Sequence, residues 1–141
     1  MENNKEKILV SACLLGVNCK YNGGNNYSEE VDKILKNYDA IPICPEIFGG
    51  LPTPRTPAEK VGDKVLTKDG KDVTKEFVKG ATECLFLAKK LGIKKALLKA
   101  KSPSCGAGEI YDGNFTGTLT KGDGITTKIL KENGIEVITI K

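Results

Sequence analysis

The sequence predicts an α/β fold: a single small domain over residues 1–141, with a mostly parallel sheet flanked by helices in a Rossmann-like arrangement, plus small β-hairpin additions. Three observations point there. Short apolar runs that read as buried strands alternate with segments of helical periodicity at βαβ spacing. A length of 141 residues suits one domain with a real hydrophobic core. No internal repeat, low-complexity tract or linker divides the chain.

The elements follow in order. Lys7 to Ala12 is a short apolar run and reads as the first strand. A loop rich in Gly and Asn runs from Gly16 to Tyr27. Ser28 is placed as an N-cap, with Glu29 and Glu30 in the first turn and Val31, Ile34 and Leu35 at helical spacing. Ala40 to Cys44 is a second strand that contains Pro42. Prolines and paired glycines from Pro45 to Pro57 predict a stiff, extended loop. Val65 to Val73, with Asp69-Gly70 between, predicts a small hairpin. Over Thr74 to Leu91 the residues Phe77, Val78, Ala81, Leu85 and Ala88 share one helix face, and Gly92 takes the C′ position. Ala96 to Ala100 is a third strand, followed by a loop from Lys101 to Gly108. Ile110-Tyr111 and Phe115-Thr116, joined at Asp112-Gly113, predict a second hairpin. A last helix capped by Asp123 or Thr126 runs to Asn133, with Gly134 ending it, and Glu136 to Ile140 closes as a fourth strand.

Composition narrows the chemistry. The net charge of +4 comes from 22 basic and 18 acidic residues. The lysines are scattered, as on a solvated surface, which leaves only a weak preference for anionic ligands or nucleic acid. No stretch approaches the roughly 20 apolar residues of a membrane span. Met1 to Lys7 has no signal-peptide apolar core, so a cytoplasmic location is expected. Five cysteines in that compartment do not suggest a disulfide framework. There is no histidine, which removes imidazole acid/base catalysis, Cys–His dyads and zinc sites that need imidazole.

The positions of the cysteines carry the argument. Cys13 follows the first predicted strand, Cys44 ends the second and Cys105 lies just beyond the third. Parallel strands end at one edge of a domain, where ligand sites form, so the three should converge. Cys13 precedes a Gly-containing loop, Cys44 precedes Pro45 and Cys105 is wedged in Ser-Pro-Ser-Cys-Gly, all on irregular backbone where free N–H groups can stabilise sulfur charge. Thiolates so placed bind soft metals or iron–sulfur clusters; buried cysteines acting as small hydrophobes are the alternative. Position alone does not choose between zinc and iron–sulfur. Cys84 falls inside the long helix and reads as core. Cys19 could be a fourth ligand, a sulfur relay, or neither.

Other residues fall near the same rim. Glu46 could activate water or shuttle a proton, or be a solvated loop carboxylate. Ser11, Ser102 and Ser104 offer hydroxyl donors that could orient a substrate or cap turns. Arg55 suits a planar or anionic ligand. Tyr21 and Asn22 could stack on and hydrogen-bond a heterocycle. Gly122-Asp-Gly124 has the character of an anion-binding helix N-terminus, without a phosphate-loop fingerprint.

Three blocks together resemble a known family. Ser11-Ala-Cys-Leu-Leu-Gly16 with Cys19-Lys-Tyr-Asn-Gly23 forms the first. Cys44-Pro-Glu46 with Gly49-Gly-Leu-Pro-Thr-Pro-Arg55 and Pro57-Ala-Glu59 forms the second. Ser102-Pro-Ser-Cys-Gly106 with Tyr111-Asp-Gly113 and Gly122-Asp-Gly124 forms the third. Nearly the whole chain is similar to domain-of-unknown-function family 523, whose characterised members are thiouracil desulfidases. The resemblance implies a [4Fe–4S] cluster held by Cys13, Cys44 and Cys105, with one iron open. It implies a non-redox reaction in which water replaces the sulfur of a thiolated pyrimidine, giving uracil and hydrogen sulfide from 2-thiouracil. By the same analogy Glu46 is the acid/base group and Ser102 orients; Ser11, Tyr21, Asn22, Arg55 and Ser104 are expected near the substrate from their own chemistry at the rim. The family carries Tyr-Asp-Gly where this chain has Tyr21-Asn22-Gly23. Two other classes compete: a metal-thiolate or sulfur-carrier module without turnover, and a metal-free cysteine nucleophile, which would lack a histidine base.

Overall fold

A computed structural model describes residues 5–141; the first four residues of the polar N-terminal stretch read above lie outside it. Four strands form the central sheet: β1 (Glu6–Ser11), β2 (Tyr38–Ile43), β5 (Lys95–Lys99) and β8 (Glu136–Ile140). Their order is β2-β1-β5-β8 and every pair is parallel, as the βαβ spacing predicts. The C-terminal ends of β2, β1 and β5 therefore stand side by side at one edge.

Alternation along β1 decides what packs where. Ile8 and Val10 face one side and join Leu14, Val31 and Leu97 under α1 (Glu29–Ile34). Leu9 faces the other and joins Ala96, Leu98, Cys84, Ala88 and Leu130 under α3 (Thr74–Leu91) and α4 (Ile125–Glu132). The boundaries of α3 are those its periodicity predicts, and Gly92 closes it at φ 67. Ser28 caps α1 by accepting the Val31 N–H at 3.3 Å. Val78 departs from expectation. It is exposed, and Gly80 and Cys84 take the buried face with Phe77, Ala81 and Ala88.

Other segments also differ from their sequence reading. Pro45 opens a short helix, α2 (Pro45–Phe48), rather than a stiff loop, because proline at the first helical position loses no hydrogen bond. A strand not predicted, β3 (Ala58–Val61), pairs with β4 (Lys64–Thr67) through Gly62-Asp63. The hairpin read over Val65 to Val73 is present around the Asp69-Gly70 turn: Val73 N–H donates to the Val65 carbonyl at 2.9 Å, Thr67 N–H to that of Lys71 at 2.8 Å, and Leu66 pairs with Asp72. In the last hairpin, β6 (Glu109–Tyr111) pairs with β7 (Leu119–Lys121), so Phe115 and Thr116 lie in the connection. Neither Asp123 nor Thr126 caps α4: its N-cap is Gly124, and the buried Thr126 hydroxyl has no hydrogen-bond partner.

Two glycines let α2 sit hard against α3. A Cβ at Gly80 would stand 1.7 Å from the Pro45 carbonyl oxygen, and one at Gly49 would stand 1.9 Å from that of Glu76. Both obstacles are backbone, which cannot swing aside. Gly80→Ala gains about 1 kcal/mol of helix propensity. Overpacking costs up to about 3 kcal/mol. The expected result is a net loss of stability, read as a Tm several degrees lower in a thermal melt. A Tm at or above the parent's would mean that α2 and α3 can separate without cost.

Candidate active site

The strand ends deliver their cysteines to one cavity of about 530 Å³, which is lined by Cys13, Cys19, Cys44 and Cys105 among others. Cys13 lies in the single 3₁₀ turn that follows β1, and Cys44 is the N-cap residue of α2. Cys105 is buried in the loop after β5. That loop is folded by α4. The N–H groups of Gly124, Ile125, Thr126 and Thr127 donate to the carbonyls of Gly106, Pro103 and Ser104 at 2.8 to 3.2 Å. Thr127 Oγ1 adds a bond to the Cys105 carbonyl at 2.8 Å. These bonds occupy the helix N-terminus that the sequence offers as an anion site, so that expectation is withdrawn.

Each sulfur meets a polar group. Ser11 Oγ donates to Cys105 Sγ at 3.3 Å and accepts the Lys99 N–H at 3.0 Å. Asn26 Nδ2 donates to Cys13 Sγ at 3.5 Å. The Cys19 thiol, which sequence left ambiguous, lies beside Cys13 and Cys44 in the same cavity. That thiol is the main reason Cys13 is held down at about 6, assisted by Asn26 and the Lys99 charge against burial. It does the same for Cys44, held at about 7, with the Ile47 N–H and Arg55 assisting. Cys19 itself is pushed well up, first by the neighbouring Cys13 and Cys44 sulfurs and then by burial. Burial pushes Cys105 up to about 12, although Ser11 and Ser104 pull the other way. Cys84, raised mainly by burial, belongs to the core as predicted.

A second chain of polar groups adjoins the sulfurs. The Cys105 N–H donates to Ser102 Oγ at 2.7 Å, and Ser102 and Ser104 hydroxyls lie 3.3 Å apart. Ser104 Oγ donates to Glu46 Oε2 at 3.0 Å, and Arg55 Nε donates to Glu46 Oε1 at 3.0 Å. This ion pair is largely shielded, with side-chain exposures of 7% for Arg55 and 17% for Glu46. Arg55 also donates to the carbonyls of Cys19 and Pro52 and to Thr53 Oγ1. Its guanidinium is thus turned to the protein and fixes Glu46.

Tyr21 lines the cavity, and its carbonyl accepts the Arg55 N–H at 2.7 Å. Asn22 is not brought into the site. It is exposed, and its Oδ1 accepts the Gly24 N–H at 2.9 Å in a local turn, a task Asp would perform equally. Asn26, Lys99, Tyr111 and Phe115 line the cavity but escaped sequence reasoning. Nothing in the composition of the loop separates Asn26 from Asn18, Asn22 or Asn25. Among the described residues no three His, Cys, Asp or Glu side chains are grouped to hold a single metal ion; a four-iron cluster instead takes its thiolates at separate corners.

The sequence model of the 2-thiouracil desulfurase family matches residues 8–141. The chain belongs to this family. The match agrees with the resemblance carried by its three motif blocks. A solved structure of the [4Fe–4S]-dependent thiouracil desulfidase TudS superposes with a TM-score of 0.90 at 49% identity, covering 96% of this chain and 91% of that one. The uncharacterized protein YbbK of Bacillus subtilis (strain 168) is 42% identical over 142 residues, 94% of each chain.

Proposed function

We propose that this protein is a [4Fe–4S]-dependent desulfidase that replaces the sulfur of a thiolated pyrimidine by oxygen, taking 2-thiouracil to uracil and hydrogen sulfide. The observation that carries this reading is the convergence of Cys13, Cys44 and Cys105 in one cavity with an ion-paired Glu46. Similarity to TudS over nearly the whole chain supports the cofactor and the substrate class.

The residues present fit the cluster. Three thiols from three strand ends, with Asn26 donating to the Cys13 sulfur and Ser11 to that of Cys105, form the kind of donor set that holds and tunes iron–sulfur clusters. The cavity has the size of a small-molecule site. When bound through three thiolates, the cluster supplies an open, Lewis-acidic iron for the thiocarbonyl sulfur.

The chain's own groups do the rest. Glu46, held on one side by Arg55 and on the other by Ser104, takes a proton from the attacking water. Ser102, linked to Glu46 through Ser104, offers its hydroxyl to the substrate and relays protons along the same path. Ser11 and Ser104 act on the Cys105 sulfur, and Tyr21 presents a ring to the heterocycle. Water supplies the oxygen, both its protons leave with the sulfur, and no electrons change hands.

The ligand is a small heterocycle rather than nucleic acid; no helix among the described residues is long and apolar enough to span a membrane. Five free cysteines suit a reducing compartment, and the reading places the enzyme in the cytoplasm. Anaerobic reconstitution with iron and sulfide, followed by incubation with 2-thiouracil, is the test. Uracil and sulfide should appear in equal amounts. A protein that binds the cluster yet releases neither would be a metal-thiolate or sulfur-carrier module instead.

A further inference from the structure

One wall of the cavity is supplied by no cysteine. The connection from β6 to β7 carries Phe115, which lines the cavity with Tyr111 and Gly117. Phe115 has φ 57, a left-handed backbone that a bulky side chain adopts only where its surroundings enforce it. Among the described residues the other non-glycine residue at positive φ is Lys101, which lines the same cavity.

The enforcing group at Phe115 is Glu59, only 8% exposed. A single carboxylate oxygen, Oε1, accepts the N–H of Gly113 at 2.9 Å and that of Phe115 at 3.1 Å. Neither ion pair among the described residues involves Glu59. The loop lies tight on β3, since a Cβ at Gly113 would meet Val61 Cγ2 at 2.7 Å. The next residue of the strand, Lys60, donates to the Asp123 carbonyl at 3.1 Å, beside the start of α4. Strand β3 thus ties the Phe115 wall to the helix that folds the Cys105 loop.

We propose that Glu59 is a positioning residue for substrate selection: by clamping the Gly113 and Phe115 N–H groups it sets the Phe115 ring as the wall that limits which thiolated heterocycles fit beside the cysteines. This inference rests on the desulfidase reading above. The clamp needs an acceptor at one point rather than a charge. Glutamine can place its carbonyl oxygen there and accept both bonds, whereas alanine accepts neither.

The test compares the reconstituted parent with Glu59→Gln, Glu59→Ala and Phe115→Ala. Amide hydrogen exchange at Gly113 and Phe115 is measured without substrate. KM and kcat are measured for 2-thiouracil and for a 2-thiouracil with a bulky ring substituent. Glu59→Ala is expected to speed exchange at both amides and to raise KM for 2-thiouracil about tenfold, with kcat within about threefold. It should also narrow the preference for the smaller substrate. Glu59→Gln should restore amide protection and most of the parent KM. Phe115→Ala should relax the size preference while Gly113 stays protected. Parent-like KM and preference in Glu59→Ala would overturn the proposal, as would a Glu59→Gln enzyme that fails alongside it. A parent that releases no sulfide defeats the desulfidase reading and the selection role with it. Amide exchange then still decides the clamp, which unchanged protection in Glu59→Ala would refute.

Discussion

Alanine at Cys13, Cys44 or Cys105, introduced one at a time, is expected to give a folded protein that no longer assembles a full cluster. Turnover of 2-thiouracil should fall by at least about a thousandfold, because the Lewis-acid site is lost with the metal. The measurement is iron and sulfide per chain after anaerobic reconstitution, with a thermal melt of each variant to show that it folds. Removing the buried Cys105 sulfur costs on the order of 1–2 kcal/mol, the scale of a small cavity, and the half-buried Cys13 and Cys44 less. A missing cluster in a folded variant therefore reports ligation. Cys84→Ala is the control. Its sulfur lies in the core beneath α3, so the variant should lose similar stability and keep the cluster. Full cluster content in all three strand-end variants would overturn the ligand assignment.

Glu46→Gln separates chemistry from cofactor binding. The amide can still accept from Arg55, and the Ser104 hydroxyl can turn to meet it, so the loops should stay in place. What is lost is the group that takes the proton. The expected fall in kcat is about 10²- to 10⁴-fold, the usual contribution of general acid–base catalysis, with iron content equal to the parent's. KM for 2-thiouracil should change little, since Glu46 acts on water. Leaving the shielded Arg55 without a negative partner should also cost about 1–3 kcal/mol. A kcat within fivefold of the parent's would remove Glu46 from the reaction and leave it as the anchor of Arg55.

Sequence revealed those parts of the molecule that depend on local periodicity and chain order. The parallel sheet, the exact span of α3, the Ser28 cap and the meeting of three cysteines follow from alternation, capping chemistry and the shared edge of parallel strands. Features set by contacts distant along the chain were hidden. Pro45 reads equally as a loop breaker or a helix start, and the close approach permitted by Gly49 and Gly80 favours the helix. Ala58 to Val61 lacks a strand's apolar alternation, since Glu59 is its buried member. Val78 fits the helical period but faces away from the sheet. Arg55 is exposed to reading as a cation but not as the partner of Glu46, nine residues earlier. Cys19 acquires a role only once the fold sets it between Cys13 and Cys44.

The hydrogen bonds between α4 and the Cys105 loop bear on how such a centre would be built in the cell. A segment shaped by iron would fold only when iron arrived, as small zinc domains do with zinc. Here four helix N–H groups and the Thr127 hydroxyl already shape the loop. Gly124 leaves it no slack, because a Cβ there would stand 2.5 Å from the Ser104 carbonyl. The place of the Cys105 sulfur therefore depends on backbone contacts with the start of α4, so a change there would move a sulfur it never touches.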